Sequence, residues 1–205
     1  MGRPREHDER TREALRAATE RLYDEHGPAG VSVRAVADAV GTTTRAVYSL
    51  FRSRDGLLVD AMAQRAYEIL EDGLDAQVET DDPAHDLIEA GVTIFRPFVR
   101  DHPSLFRITF QRIVPDFQPG PELTAARDSA FGRLRAKVGR LAPAGQLTDR
   151  TVPEAAIQFQ ALCEGLGNQE LRGADLRLLP EGDEEHTWRS AFTTLVRGFG
   201  APTSA

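Results

Sequence analysis

The sequence is poor in the residues that build disulfides and metal sites. It contains a single cysteine, Cys163, and five histidines scattered along the chain. One cysteine cannot form an internal disulfide, and no histidine has a partner at metal-ligand spacing. We therefore expect no disulfide and no metal site, and we expect Cys163, which lies in an apolar helical stretch, to be a packing residue rather than a redox sensor.

Long apolar runs are also missing. A membrane-spanning helix needs roughly 18 or more mostly apolar residues in succession. The N-terminus reads MGRPREHDER, which is charged instead of carrying the apolar core of a signal peptide. With 40% apolar and 28% charged residues, the composition is ordinary for a globular protein. We expect a cytoplasmic protein without a membrane partner.

Common enzyme motifs are absent as well. The sequence has no Gly-rich phosphate loop and no nucleophile elbow. Gly165-Leu166-Gly167 is not a dinucleotide fingerprint, because it lies within a helical pattern, follows no strand and lacks the third glycine. We predict no catalytic residue and no cofactor, and we expect that the chain is not an enzyme.

What the sequence does contain, at residues 31–51, is the pattern of two short helices joined at a glycine. This is the pattern of a DNA-reading helix–turn–helix. Ser32 is the predicted N-cap of the first helix, Gly41 supplies the left-handed backbone that ends it, and Thr43 caps the second. The inward positions of the first helix are Val33, Val36, Ala37 and Val40.

The second helix should turn Val47 and Phe51 inward, because they lie four residues apart. Its outward residue types suit DNA, since Arg pairs bidentately with guanine and hydroxyl groups donate to phosphate. A purely structural helix pair is the alternative that spacing alone leaves open. The predicted DNA contacts are Ser32, Arg34, Thr43, Thr44, Arg45, Tyr48, Ser49, Arg52 and Arg54.

The helix–turn–helix is part of a longer characteristic run. Its residues are Val36-Ala37, Gly41-Thr42-Thr43, Val47-Tyr48, Phe51, Ser53-Arg54-Asp55 and Leu57-Leu58. The run resembles the TetR family of transcriptional regulators, and the resemblance covers roughly the first sixty residues. The family usually has Lys where Arg54 stands and often has Gly or Pro near Arg45. Arg54 therefore keeps the positive charge of the usual lysine, whereas the sequence does not define which bases Arg45 would prefer.

The distribution of charge along the chain fits DNA binding better than the net charge does. The formal net charge is −7. Residues 1–60 contain ten Arg and ten Asp or Glu, so the rest of the chain carries the whole acidic excess. Residues 31–54 hold four Arg against Asp38 alone. We expect a basic N-terminal surface and an acidic body that points away from the DNA.

Helical periodicity recurs from end to end, which predicts an all-α fold of about nine helices. We assign residues 1–54 to a three-helix DNA-binding domain and residues 55–205 to a ligand-binding and dimerisation domain. The fourth helix should begin at the Ser53 cap and connect the two. Pro97 should make the fifth helix kink, bulge or break, because proline removes a backbone donor and clashes with the preceding turn.

The last two helices are the predicted dimer interface, in the manner that resemblance to the TetR family implies. Their apolar stripes would otherwise be partly exposed. The alternative is that the stripes pack only on the protomer's own core. The predicted interface residues are Gly165, Gly167, Trp188, Phe192, Leu195 and Phe199.

An effector site is predicted where aromatic residues and amides concentrate, with Gln111 or Gln160 orienting the ligand. Core packing explains the same residues equally well. The predicted lining residues are Phe95, Phe98, Phe106, Phe110, Gln111, Phe159, Gln160 and Cys163.

The sequence thus favours a homodimeric transcriptional repressor that a small, largely apolar effector releases from a pseudo-palindromic double-stranded operator. Two alternatives remain open at this point. One is a small-molecule binding protein or enzyme whose helix pair is structural. The other is a TetR-like DNA-binding protein that does not respond to a ligand.

Overall fold

The computed structural model describes residues 3–111, 119–173 and 183–200, and the side chains of these except 3–8 and 28. Within those ranges the chain forms nine helices and no strand, as the periodicity predicts. None of the helices in these ranges has the length and apolar character needed to cross a membrane.

The first four helices are α1 (Arg3–Gly30), α2 (Val33–Val40), α3 (Thr44–Phe51) and α4, a π-helical turn at Gly56–Asp60 followed by Ala61–Ala76. The fifth, α5, runs through Pro83–Glu89, a π-helical segment at Ala90–Phe95, and Arg96–Asp101. The remaining four are α6 (Pro103–Phe110), α7 (Pro121–Gly139), α8 (Val152–Arg172) and α9 (Glu184–Phe199).

The irregularity predicted for the fifth helix is confirmed. The π-helical segment Ala90–Phe95 ends two residues before Pro97. A π-turn adds one residue to the helical turn, which is how a helix accommodates a side chain or ring that its regular ladder cannot hold. The helix bulges but does not break, because Arg96–Asp101 continues it.

By packing, the chain divides into two compact units. The first comprises residues 1–68 and 104–127, and the second comprises residues 69–103 and 128–205. The boundary between residues 54 and 55 is a division by function, and it stays a prediction. The core of the first unit includes Leu15, Val36, Val47, Leu57 and Phe106, all fully or almost fully buried.

The core of the second unit contains the aromatic residues of α9. Trp188, Phe192 and Phe199 are at most 1% exposed in the single chain. Phe192 stacks on Phe159 of α8 at 4.7 Å between ring centroids. The single chain already buries these three residues and Gly167, so a second copy would add little to their burial, and their assignment to a dimer interface stays a prediction.

Candidate functional site

The helix–turn–helix has the local structure that the sequence predicts. Ser32 Oγ accepts a hydrogen bond from the backbone N–H of Ala35 at 3.1 Å, and Thr43 Oγ1 accepts one from Ala46 at 3.2 Å. Gly41 ends α2 with φ 72° and ψ 31°. Both cap hydroxyls keep their own hydrogen for a further bond, so they remain able to donate to a phosphate at the N-termini of α2 and α3.

The two faces of α3 separate as predicted. Val47 is fully buried and Phe51 is 4% exposed, and the guanidinium of Arg12 lies 5.3 Å from the centre of the Phe51 ring. Tyr48 is one of the few large apolar side chains left open, at 53% exposure. The exposed outward residues of α3 are Thr44, Arg45, Tyr48 and Ser49. They form one surface of hydroxyl groups and a guanidinium, a combination suited to bases and phosphates.

The predicted arginine contacts differ in their surroundings. Arg34 is 87% exposed and its nearest acid, Asp38, lies 3.9 Å away. Arg54 is partly engaged within the protein, because its Nε donates to the backbone carbonyl of Val31 at 2.7 Å. This hydrogen bond ties the beginning of α4 to the residue before the cap of α2. Sequence reasoning assigned Arg54 to phosphate alone and missed this second role, for which a sequence carries no signal.

The corner between α3 and α4 is tight. Arg52 has φ 64°, the one positive value among the described non-glycine residues, and the N–H of Ser53 donates to Phe51 O at 2.7 Å. Ser53 Oγ then accepts from Gly56 N at 2.9 Å, which confirms the predicted cap. A Cβ on Gly56 would lie 2.3 Å from Phe51 O. The positive φ of Arg52 is a strained backbone conformation that costs about 1–3 kcal/mol, and residues strained in this way cluster at functional sites.

The predicted effector residues fall in both units. In the first unit, the rings of Phe106 and Phe110 lie 5.4 Å apart, whereas Gln111 is exposed. In the second, Phe95 and Phe98 lie 6.0 Å apart. The assignment of all eight residues to one site therefore stays a prediction.

Within the second unit the aromatic residues mostly pack on one another. Phe159 and Cys163 are 3% and 2% exposed. Burial raises the pKa of the Cys163 thiol well above its ordinary value, which fits a packing role. Gln160 donates to Glu164 at 2.7 Å, so its amide already has a partner.

Two larger cavities are found among the described residues of the second unit. One, of about 630 Å³, lies between the start of α5, the loop around Gln146 and α9. The other, of about 400 Å³, lies between α4 and α5 and includes Phe98. Of the eight predicted effector residues, Phe98 alone lines either of these two cavities.

The exposed sides of the last two helices differ from the predicted stripe. On α8, Ile157 is 58% exposed although it is a large apolar residue, and Ala161 and Gly165 follow it at four-residue spacing. On α9, the residues that are not buried include Ala191 and Leu195. Sequence reasoning did not single out Ile157, an exposed apolar residue that lies off the buried stripe of its own helix.

Comparison with known proteins agrees with this geometry. Residues 15–61 match the family described as bacterial regulatory proteins, tetR family. Residues 88–195, more than half of the chain, match the family described as tetracyclin repressor-like, C-terminal domain. No functionally curated protein matches the sequence.

Solved structures share the fold at low sequence identity. A protein of unknown function from Rhodococcus sp. RHA1 is 21% identical, with a TM-score of 0.77 over 93% of this chain and 96% of that one. A TetR family transcription regulator from Marinobacter aquaeolei VT8 is 22% identical, with a TM-score of 0.63 over 94% and 96%. RolR in complex with resorcinol is 18% identical, with a TM-score of 0.66 over 98% and 97%. At such identities the likeness shows the fold alone.

Proposed function

This chain belongs to the tetR family of bacterial regulatory proteins, and on that premise we propose that it is a homodimeric repressor which a small effector releases from its operator. Family membership makes it a DNA-binding transcription regulator. The sign of regulation, the dimer and the response to a ligand are the parts that we add.

The exposed face of α3 carries the proposal. It presents Arg45 and three hydroxyl-bearing side chains on a helix whose apolar side is anchored by Val47 and Phe51. A helix of this kind enters the major groove with its N-terminal residues toward the bases. We assign base contact to Arg45 and phosphate contact to Tyr48, while the caps Ser32 and Thr43 orient the two helix N-termini toward the DNA backbone.

A dimer is needed because one eight-residue reading helix covers only half of a pseudo-palindromic site. In the second unit we assign the contact to the exposed sides of α8 and α9, with Ile157, Ala161, Gly165 and Leu195. Small residues let helix backbones approach closely, and a symmetric pair of such faces closes a four-helix interface. The two reading helices would then lie roughly 34 Å apart, one turn of DNA.

The effector is proposed to bind in the second unit and to be largely apolar. RolR, which shares the fold, is seen with the small aromatic molecule resorcinol. To move an operator from almost fully bound to almost fully free, the ligand must favour the released geometry about 10⁴-fold, or about 5.5 kcal/mol. Burial of a small apolar ligand supplies energy of this order.

Selection of bound DNA from a random pool tests the proposal. We expect an enriched sequence with two inverted half-sites, whose affinity falls steeply with salt. A small-molecule binding protein or enzyme with a structural helix pair would enrich no sequence. Enrichment of a single half-site would contradict the dimer, and enrichment of direct repeats would contradict its symmetry.

A further inference from the structure

The cavity of about 630 Å³ in the second unit lies apart from the residues proposed for DNA binding and dimerisation. We call it the α5–α9 groove. Its described lining residues come from the start of α5, from α9 and from the loop between α7 and α8, and include none of α4. The volume lies in the range of small-molecule pockets. Ala84, Ile88 and Val196 give it an apolar surface, so a ligand that fits here has an apolar body.

The groove lies on the side of α9 that faces away from the proposed dimer contact. Thr193 lines the groove, whereas Leu195 belongs to the proposed dimer face. Two residues along a helix correspond to a rotation of about 200°, so these two side chains point to opposite sides of α9. The groove is therefore open to a ligand in the single chain and in the proposed dimer alike.

The two acidic residues that line the groove already have partners. Asp82 is the N-cap of α5, and its Oδ1 accepts from the backbone N–H groups of Ala84 and His85 at 3.1 Å each. Both carboxylate oxygens of Glu89 accept from the guanidinium of Arg189, which forms a bidentate pair with it. The negative charge of each acid is thus offset within the protein, by a helix N-terminus in one case and by an arginine in the other.

Three donor side chains of the groove, by contrast, are not engaged. Arg197, His85 and Gln146 make no side-chain hydrogen bond and no ion pair with any residue that the structure describes. The guanidinium of Arg197 carries a full positive charge and five N–H donors. Gln146 also leaves its Oε1 buried without a partner, a cost that a ligand holding the amide in another orientation would remove. The free hydrogen-bonding capacity of the groove is therefore that of an anion site.

We propose that the α5–α9 groove binds a small carboxylate with an apolar body, a monocarboxylic acid of about the size of benzoate. A planar guanidinium pairs bidentately with a carboxylate, and one free guanidinium matches one negative charge. Arg197 holds the carboxylate, while His85 and Gln146 donate to its remaining lone pairs. The apolar body lies against Ile88 and Val196, so that the ligand links α5 to α9. This binding does not rest on the proposed function, because it needs neither DNA nor a second copy of the chain.

Benzoate and benzamide form a matched probe pair, because they have nearly the same shape and differ by one charge. Amide NMR titration of the full-length chain measures both affinities and locates the shifts. We expect benzoate to bind about threefold or more tightly than benzamide, with the largest shifts near Ala84, Gln146 and Arg197. The formal net charge of −7 disfavours an anion, so such a preference has to come from the groove. Equal affinities, or largest shifts elsewhere in the chain, would overturn the proposal.

Substitution of Arg197 localises the effect. Arg197→Gln removes the charge but keeps an amide donor, so it should abolish the preference for benzoate and leave the affinity for benzamide unchanged. Arg172→Gln is the matched control, because Arg172 is also an exposed arginine in the last turn of its helix but does not line the groove. It should change neither affinity. A preference for benzoate that survives Arg197→Gln would refute the proposal.

A second variant tests the apolar part of the site. Ala84→Trp should fill the groove and abolish binding of both probes, while the circular dichroism spectrum stays that of the wild type. Unchanged binding of benzoate by this folded variant would place the ligand elsewhere. Absence of benzoate binding by the wild type with intact DNA selection would overturn this inference alone, and the reverse would overturn the proposed function alone.

Discussion

Gly91 of α5 lies directly against the ring of Phe192 of α9. A Cβ built on Gly91 would be 2.2 Å from Phe192 Cε2, closer than any real contact. The ring cannot move aside, because Phe192 is fully buried and stacks on Phe159. The absence of a side chain at 91 is thus what allows α5 and α9 to pack closely within the second unit.

Gly91→Ala should therefore destabilise the protein by about 1–3 kcal/mol through overpacking. Thermal or denaturant unfolding measures the loss. Gly132→Ala in α7 is the matched control, since no neighbouring heavy atom lies within 4 Å of the added methyl group. That control should gain about 0.5–1 kcal/mol, because alanine loses less backbone entropy in a helix than glycine does. Equal effects of the two substitutions would contradict the close packing.

Gly165→Arg should give a folded monomer. A Cβ at 165 meets no heavy atom within 4 Å in the single chain, so the protomer has room for the side chain, but two arginines at a symmetric interface would repel and block close approach. Analytical ultracentrifugation measures the state, and Gly132→Arg, at a half-buried glycine of α7 whose Cβ also meets no heavy atom within 4 Å, is the control that should stay dimeric. A dimeric Gly165→Arg protein would place the interface away from this face of α8.

Gly91 and Gly165 show what the sequence can and cannot predict about helix packing. Periodicity correctly identifies Trp188, Phe192 and Phe199 as one apolar stripe, but it does not reveal whether the stripe meets its own chain or a second copy. The free space at Gly165 and the crowding at Gly91 are properties of the packed chain, and both residues look alike in the sequence.

The helix caps can be predicted from the sequence better than the contacts between residues that lie far apart in the chain. The caps Ser32 and Thr43 and the left-handed Gly41 follow from residue type and spacing, because their partners lie within a few residues. The hydrogen bond from Arg54 to Val31 and the cavity between α4 and α5 depend on residues far apart in the chain. No periodic pattern encodes such pairs.

Acid should weaken the fold through Asp86. Burial alone would raise the pKa of this carboxyl, but Thr80 and the Arg140 guanidinium donate to it and hold the pKa below its ordinary value. A lowered pKa in the folded state means stability that is present above the unfolded value of about 4 and is lost as the pH falls through the folded value. Wild type should thus exceed Asp86→Asn in stability by about 1–3 kcal/mol at neutral pH, with the difference shrinking in acid.

Urea unfolding at a series of pH values from 7 to 3 checks this dependence. Asp72→Asn makes the same chemical change at an exposed carboxylate of α4 and should show no such trend. A stability difference between wild type and Asp86→Asn that does not change with pH would mean that Asp86 contributes through its shape and not its charge.

Arg45 and Tyr48 should affect DNA binding in different ways. Arg45→Ala should cost about 1–3 kcal/mol and relax the preference at one or two base pairs, because a bidentate contact to guanine is lost. Tyr48→Phe should weaken all sequences alike, because it removes only a hydroxyl donor to phosphate. Competition binding with the selected operator and its single-base variants measures both, and unchanged binding by both variants would remove α3 from the interface.

Arg54 combines two roles that a pair of substitutions can separate. Its charge is proposed to contact phosphate, and its Nε donates to Val31 O at 2.7 Å. The Nε2 of glutamine lies the same number of bonds from the backbone as the arginine Nε, so Arg54→Gln can keep the bond to Val31 while it removes the charge. Arg54→Ala removes both.

Each variant should flatten the slope of log affinity against log salt by about one unit, because one phosphate contact is lost. Only Arg54→Ala should also lower the melting temperature, by an amount equivalent to about 1 kcal/mol, because Val31 O then loses its donor. If Arg54→Gln leaves the salt slope unchanged, Arg54 serves only to hold the start of α4 against the helix–turn–helix, whereas equal melting temperatures for the two variants would show that the bond to Val31 contributes nothing to the fold.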